Sequence, residues 1–146
     1  PMFDEHSGYK AVVAISAAAL AADNTPPAID LMGYKACEIL LAIGAGGITF
    51  SGTNKVEFVV TESDDDVTYT AVNQADIIGA TVATGGIVKS LVAAHAAAAV
   101  YRFGYVGDCR YIKVLADFSG THGTATPIAA VALLGKPELG PVPNQI

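Results

Sequence analysis

The sequence lacks tryptophan, carries eight lysine and arginine residues among 146, and has no apolar run long enough to form a membrane helix. The positive residues form no cluster, which argues against direct nucleic-acid binding, because neutralising phosphates requires concentrated positive charge. A membrane-spanning helix needs about 20 predominantly apolar residues, and polar residues interrupt every candidate segment. We therefore predict no nucleic-acid partner and no membrane partner.

Cysteine is also scarce, since Cys37 and Cys109 are the two in the chain and no C-x-x-C pair exists. Both lie in strand-like segments, and small buried hydrophobic side chains are the simpler interpretation. The start of the chain, PMFDEHSGYK, is acidic where a signal peptide would be basic. A cytosolic origin is therefore expected, and a disulfide has no support in a reducing compartment.

The composition predicts one domain with a surface that is poor in charge. Hydrophobic residues make up 52% of the chain, charged residues 15%, and the formal net charge is −6. A chain of this length can bury a sizeable core. Isolated soluble domains usually carry more surface charge. We therefore expect a partner, or further copies of the chain, to cover part of the apolar surface.

Residues 101–118, YRFGYVGDCRYIKVLADF, predict a β-hairpin with Gly107-Asp108 as a two-residue II′ turn. Such a turn fixes the register of the two strands. The predicted pairs are Val106 with Cys109, Tyr105 with Arg110, Phe103 with Ile112, and Tyr101 with Val114. The predicted apolar face consists of Tyr101, Phe103, Tyr105, Ile112, Val114, Ala116 and Phe118. A structural cation–π contact between Tyr105 and Arg110 is also expected.

Other β-rich segments are separated by turn residues and predict short strands at 10–22, 28–31, 34–43, 55–62, 67–72, 87–92 and 127–134. The nearly continuous apolar run at 34–43 predicts a strand buried on both faces, the second by subunit contact. Residues 73–78 predict one helical turn. Residues 79–86 are expected to form a loop, and residues 93–99 have no predicted structure.

Many short strands without a long amphipathic helix predict an all-β fold, an antiparallel β-sandwich of jelly-roll-like type. We expect extended arms at both ends. The predicted division is an N-terminal arm at 1–9, a β-sandwich domain at 10–136, and an extended Pro/Gly-rich tail at 137–146.

No metal site is predicted. His6, His95 and His122 are far apart in sequence, and none has a second ligand at helix or strand spacing. The carboxylates of residues 64–66 could gather a calcium ion, but the spacing of a calcium loop is absent. A solvated turn is the better interpretation of these three aspartates.

No catalytic residue or cofactor site is predicted either. Ser51 and Ser119 lie in loops outside any nucleophile motif. The glycines 44, 46 and 47 precede strand formers rather than a helix, which excludes a phosphate-binding loop. Glu57 and Glu62 fall on opposite faces of one predicted strand, so they form no acid–base pair. We predict that the protein is not an enzyme.

Five segments, taken in order, resemble a group of small virion structural proteins of tailed bacteriophages, encoded among head genes. They are K-x-V-V-x-I-x-x-A-A-L at 10–20, IDLMGY at 29–34, FVVTESDD with VTY at 58–69, VYRFGYVG with RYIKV at 100–114, and AVALLGKP at 130–137. The resemblance spans residues 10–137. The acidic turn and the Y-R-x-G-Y-x-G-x-x-R-Y-I-x-V pattern are its most distinctive parts.

The resemblance implies a capsid decoration (cement) protein. Such proteins are β-rich, are often trimeric, and bind the outer surface of the assembled head, where they bridge capsomers. The implied partners are the major capsid protein and further copies of the chain, as a homotrimer or other homo-oligomer. The implied location is the capsid surface of the virion, after synthesis in the bacterial cytoplasm.

Two alternatives stay open at this point. A tail or head–tail connector component of the same virion would share these sequence features. A carbohydrate-binding β-sandwich would need exposed aromatic side chains on a flat face, and tryptophan, the usual platform, is absent.

Overall fold

Alternating apolar residues build ten strands in this chain, which the computed structural model describes over residues 1–146. Two single 3₁₀ turns, His6–Gly8 and Gln74–Asp76, accompany them. The strands are β1 (Tyr9–Leu20), β2 (Ile29–Asp30), β3 (Tyr34–Ile43), β4 (Lys55–Ser63), β5 (Thr70–Ala71), β6 (Ile77–Ile78), β7 (Ile87–Leu91), β8 (Ala99–Tyr105), β9 (Tyr111–Ser119) and β10 (Thr126–Pro137). They form two antiparallel sheets, which confirms the predicted all-β sandwich.

Sheet A joins segments that are far apart in sequence. Its strand order is β1-β10-β3-β8-β6, so the last strand of the chain lies between the first and third. Tyr9 is opposite Gly135, and Ile43 is opposite Ile128. β1 is an edge strand, and its register with β10 shifts twice between Val13 and Ala18. Such irregularities bend an edge strand and discourage pairing with another chain.

Sheet B is built around β4. β9 pairs with β4 along its whole length, from Lys55 opposite Ser119 to Ser63 opposite Tyr111. The other edge of β4 is shared, because β7 pairs with its first half and β5 with its last residues. The two-residue strand β2 pairs with the beginning of β9.

The core lies between the two sheets and follows the period-2 alternation of the strands. In β4, Val56, Phe58 and Val60 are fully buried, as the sequence predicts. In β3, Ile39 and Leu41 are buried. Burying a side chain of this size contributes about 1.5–3 kcal/mol relative to exposure. One continuous cluster of 24 buried residues therefore holds the two sheets together.

Residues 101–118 form two strands but not the predicted hairpin. β8 pairs with β3 in sheet A, whereas β9 pairs with β4 in sheet B. Residues 106–110 cross between the sheets, and Gly107 lacks the positive φ that a II′ turn requires. The predicted apolar faces are nevertheless correct, since Phe103 and Ile112 are both buried. Alternation determines which side chains face the core, but the neighbouring strand can come from anywhere in the chain.

Tyr105 holds this crossing in place. Its hydroxyl donates a hydrogen bond to Glu62 Oε2 at 2.6 Å and accepts one from the Cys109 backbone N–H at 3.1 Å. Burial and the bond to Glu62 both raise the pKa of Tyr105, so the hydroxyl keeps its proton. Arg110 does not contact Tyr105 as predicted. It forms a bidentate ion pair with Asp30 and lies over the ring of Tyr111.

Three further predictions concern β3, β5 and the turn before β6. In the single chain, β3 is buried on one face, and its intervening residues are half-exposed or exposed. The strand predicted at 67–72 shortens to β5, because a turn occupies the residues before it. The helical turn at 73–78 is the 3₁₀ turn Gln74–Asp76, with Asn73 as its N-cap.

The edge of β9 beyond β2 is closed by side chains. Asn24 Oδ1 accepts a hydrogen bond from the Ala116 backbone N–H at 2.7 Å, and its amide donates to the Val114 carbonyl at 3.4 Å. Asp23 Oδ1 accepts from the Phe118 N–H at 2.7 Å. Two side chains thus satisfy the edge groups that a neighbouring strand would otherwise bind.

Candidate assembly surface

The outer face of sheet A is apolar across four adjacent strands. In β10, Ala129, Val131 and Leu133 point outward, while the alternate residues point into the core. Since both sets are apolar, this strand presents hydrophobic side chains to the core and to the surface. The register extends the outward set across β1, β3 and β8. We call this set the sheet A face: Ala11, Val13, Glu38, Leu40, Ala42, Val100, Arg102, Ala129, Val131 and Leu133.

The three valines of the sheet A face are exposed to solvent, whereas Leu40 and Leu133 are half-buried. Val13 is 52% exposed, Val100 67% and Val131 37%. The central row runs from Val13 through Val131 and Leu40 to Arg102. Exposed apolar residues that occur singly are normal on protein surfaces, but a contiguous patch on regular strands indicates an interaction site.

The sheet A face carries two charges that cancel. Arg102 donates to Glu38 Oε1 at 3.3 Å from the neighbouring strand β3. An exposed pair of this kind contributes little to stability. It leaves the whole face without net charge on a molecule whose formal charge is −6.

A shallow open groove of about 480 Å³ lies at one end of the sheet A face. Its walls come mainly from alanines and glycine of four strands and their loops, so the backbone lies close to the surface. The lining residues include Ala17, Ala42, Gly44, Val100, Pro127 and Ala129. Small apolar walls suit contact with another hydrophobic surface, and they offer no side chain suited to catalysis.

The outer face of sheet B differs, because it carries charged and aromatic side chains that interact with one another. Lys55 contacts Glu57 at 3.2 Å. Lys113 Nζ lies 4.1 Å from the ring centroid of Tyr69. These contacts pair the charged groups of this face with one another or with an aromatic ring. The contrast between the two outer faces makes sheet A the stronger candidate for a protein interface.

The terminal segments, residues 1–8 and 138–146, lie together beside the first part of β1. Gln145 bonds both the N–H and the C=O of Ala11, at 2.8 and 2.7 Å, and so takes the place of an edge strand. The Val142 N–H donates to the Ser7 carbonyl, and Val142 is buried. The tail predicted at 137–146 thus begins with the last residue of β10, and the residues after it are docked against their own domain rather than extended away from it.

The terminal segments also carry exposed apolar side chains. Phe3 is 93% exposed and Leu139 is 91% exposed. Gln145 binds the domain, while these large apolar side chains point to solvent. We call Met2, Phe3 and Leu139 the terminal patch.

The three histidines are separated and have structural partners. His6 Nε2–H donates to Asn144 Oδ1 at 2.9 Å and helps to dock the tail. His95 Nδ1–H donates to the Gly44 carbonyl, and its Nε2 contacts the Tyr101 hydroxyl. His122 Nε2–H donates to the Ser119 carbonyl. No group of three or more His, Cys, Asp or Glu side chains is placed to hold a metal ion.

The aspartates at 64–66 are used by the turn that they form. Asp65 Oδ1 accepts bonds from the Val67 and Thr68 N–H groups, both at 2.9 Å, and from the Ser63 hydroxyl. The Thr68 and Val67 N–H groups lower the pKa of Asp65. Asp66 accepts a hydrogen bond from the Tyr69 hydroxyl. These bonds stabilise a tight Asx-type turn.

The remaining candidate residues also have local structural roles. Cys37 is buried, and burial raises the pKa of its thiol to about 12. Cys109 is half-buried rather than fully buried, and burial also raises the pKa of its thiol. Both cysteines are free. Ser51 Oγ accepts bonds from the two N–H groups of the following turn, at 3.2 and 3.0 Å.

Glu57 and Glu62 point to opposite faces of β4, towards Lys55 and Tyr105 respectively. Gly46 and Gly47 have positive φ values, and a Cβ on Gly47 would overlap the hydroxyl of Thr126. The glycine-rich segment is therefore explained by its close approach to β10.

No protein-family model, curated protein or solved structure matches the chain. None of its helical segments is long and apolar enough to cross a membrane.

Sequence reasoning missed the residues that close the two sheet edges. Asn24 bonds a strand more than 90 positions away, and Gln145 bonds β1 from the other end of the chain. Neither has a local motif. The only available signal is that both are amide side chains, which donate and accept at once as a strand edge requires.

Proposed function

We propose that the protein is a decoration (cement) protein of a tailed-bacteriophage head. It binds the outer surface of the assembled shell and stabilises the shell by bridging capsomers. The observation that carries the proposal is the large amount of exposed apolar surface on this small domain, on the sheet A face and the terminal patch. The resemblance of the segments at 58–69 and 100–114 to phage virion proteins is the second ground for the proposal.

The terminal patch is the surface that we assign to the shell. Phe3 and Leu139 are almost fully exposed, so they can enter hydrophobic recesses of the major capsid protein without unfolding the domain. Each patch is small, and a single contact of this size is weak. Many copies on one shell, each touching adjacent capsomers, would add the effect of avidity.

Cryo-electron microscopy of the virion that encodes this chain is the direct test. Density for the sandwich on the outer shell supports the proposal, whereas density on the tail or at the connector overturns it in favour of the tail or connector alternative.

A binding assay tests the assigned surface. The double variant Phe3→Ser, Leu139→Ser should occupy purified expanded heads at least about tenfold less well than the parent, because it loses both exposed anchors. Val67→Ser is the matched control, since Val67 is 80% exposed on the turn after β4. Equal occupancy by all three proteins would remove the terminal patch from the interface.

A further inference from the structure

We propose that residues 5–11 form a binding site for a short segment that contains prolines and carries a side-chain amide. Residues 138–146 of the chain itself are the built-in occupant of this site, and they are displaceable. A segment of a neighbouring protein with the pattern Pro-x-Pro-Asn-Gln would take their place. The proposal concerns a different surface from the terminal patch, and it does not depend on attachment to a shell.

The edge of β1 at Ala11 recognises a side-chain amide. Gln145 Oε1 accepts from the Ala11 N–H at 2.8 Å, and Gln145 Nε2 donates to the Ala11 carbonyl at 2.7 Å. The register of β1 with β10 is regular from Tyr9 to Val13, so both groups of Ala11 point to the same side, away from β10. Asn and Gln are the side chains that place a donor and an acceptor side by side on one planar group. A carboxylate in the same position would leave the Ala11 carbonyl unpaired.

A second contact recognises the backbone of the Pro141-Val142-Pro143 segment. Proline has no N–H, so Val142 provides the one backbone donor of these three residues. That N–H donates to the Ser7 carbonyl at 2.9 Å, and the Val142 side chain is only 7% exposed. The two prolines restrict φ, so the segment loses less conformational entropy when it docks. The donor, the buried valine and the amide three residues later together define the ligand.

The contacts of the tail are weak enough to permit exchange. Val142 is the one buried side chain among residues 138–146. The bonds of Gln145, and the bond from His6 to Asn144, are all exposed to solvent. A recess of about 330 Å³ beside Gln145 is open to solvent as well. Segments with few buried apolar contacts and exposed hydrogen bonds open at a small fraction of the cost of global unfolding. We therefore expect the tail to leave while sheet A stays intact.

Amide hydrogen exchange of the full chain, followed by NMR, tests whether the tail is displaceable. The Ala11 N–H should be protected at least about 100-fold less than the N–H of Ala132, a buried residue on the central strand β10. Equal protection of the two groups would mean that the tail leaves only when the domain unfolds, and it would overturn the proposal.

A peptide titration tests recognition in trans. The probe is a synthetic peptide of residues 138–146, ELGPVPNQI, and the receptor is the full chain with Asn144→Ala and Gln145→Ala. These substitutions weaken the tail, which otherwise competes at an effective concentration of about millimolar. Peptide up to about 5 mM should shift the NMR signal of the Ala11 N–H, and the signals of residues 5–11, in a saturable way. The same peptide with Gln145→Glu is the matched control. It should bind at least about tenfold more weakly, because it cannot donate to the Ala11 carbonyl.

Each outcome of the titration decides one part of the proposal. Saturable binding of the parent peptide at residues 5–11, with weaker binding of the control, supports an amide-reading site. No binding at the highest concentration overturns the site, and so do shifts confined to other surfaces. Equal binding of the two peptides overturns the role of the amide. Thermal unfolding confirms that the receptor variant is folded. No shell is present in these measurements, so the proposed function can fail independently.

Discussion

Replacing Asn24 with alanine should lower the stability of the whole domain, although Asn24 lies in a loop. The substitution removes the acceptor of the Ala116 N–H and the donor to the Val114 carbonyl. Ala116 is completely buried, so its N–H cannot regain full hydration. Losing these bonds and leaving a buried donor unpaired costs about 1–3 kcal/mol. A chain of this length unfolds with an entropy of about 0.3 kcal/mol/K, so the Tm should fall by about 3–10 °C.

Two measurements check this prediction. Calorimetry gives the change in Tm, and amide hydrogen exchange followed by NMR reports on the Ala116 N–H itself. Asp23→Ala is the graded control, since it removes one exposed bond to Phe118 and should cost about 1 kcal/mol or less. An Asn24→Ala protein with the parent's Tm and undiminished protection at Ala116 would refute the view that this side chain closes the edge of β9.

Three other changes test separate parts of the structure. Gly107→Ala should cost about 1–3 kcal/mol in urea unfolding, because its Cβ would lie 2.5 Å from the Tyr105 hydroxyl that holds the crossing between the sheets. Thr126→Val should stabilise the domain by about 1 kcal/mol, since the Thr126 hydroxyl is buried and has no hydrogen-bond partner. The third change concerns acid stability. Arg110 lowers the pKa of Asp30 from 3.8 to about 2, so this pair stabilises the fold above about pH 4 and loses its effect as the pH falls towards 2. Arg110→Ala should therefore flatten the fall in Tm over that range, by a small amount because the pair is exposed.

For each of these three predictions, one experimental result would contradict the physical reason given. Gly123→Ala is the control for Gly107, because nothing lies within 4 Å of its added Cβ, and equal costs would exclude the steric explanation. A loss of stability in Thr126→Val would mean that the hydroxyl has a partner after all, such as an ordered water. Parallel pH profiles for the parent and Arg110→Ala would show that the ion pair does not form in solution.

The strands and their buried faces could be predicted because both depend on local alternation. Phe58 and Ile112 are buried as their positions in period-2 segments require. The partner strands of β8 and β9 could not be predicted, because a Gly-Asp dipeptide fits a two-residue turn as well as a longer crossing. The crossing follows from the pairing of β8 with β3 and of β9 with β4, and it is held by the bond from Tyr105 to Glu62, 43 positions away, which no local window contains.

The candidate surface was partly predictable for a related reason. Low charge and apolar runs indicated that some hydrophobic surface must stay outside the core. The location of that surface required the register of four strands, since Val13, Val131 and Leu40 become neighbours only after β10 enters between β1 and β3. The docked tail escaped prediction because the hydrogen bonds of Gln145 are made with Ala11, at the other end of the chain.

The place of β10 in sheet A has a consequence for synthesis on the ribosome. β1 is made first, yet its partner is the last strand to appear, and β3 also needs β10 on one side. Sheet A can therefore close only after β10 has left the exit tunnel, at a synthesis rate of about 5–20 residues per second. Until then β1 stays without its partner strand, and its apolar side chains stay exposed to solvent.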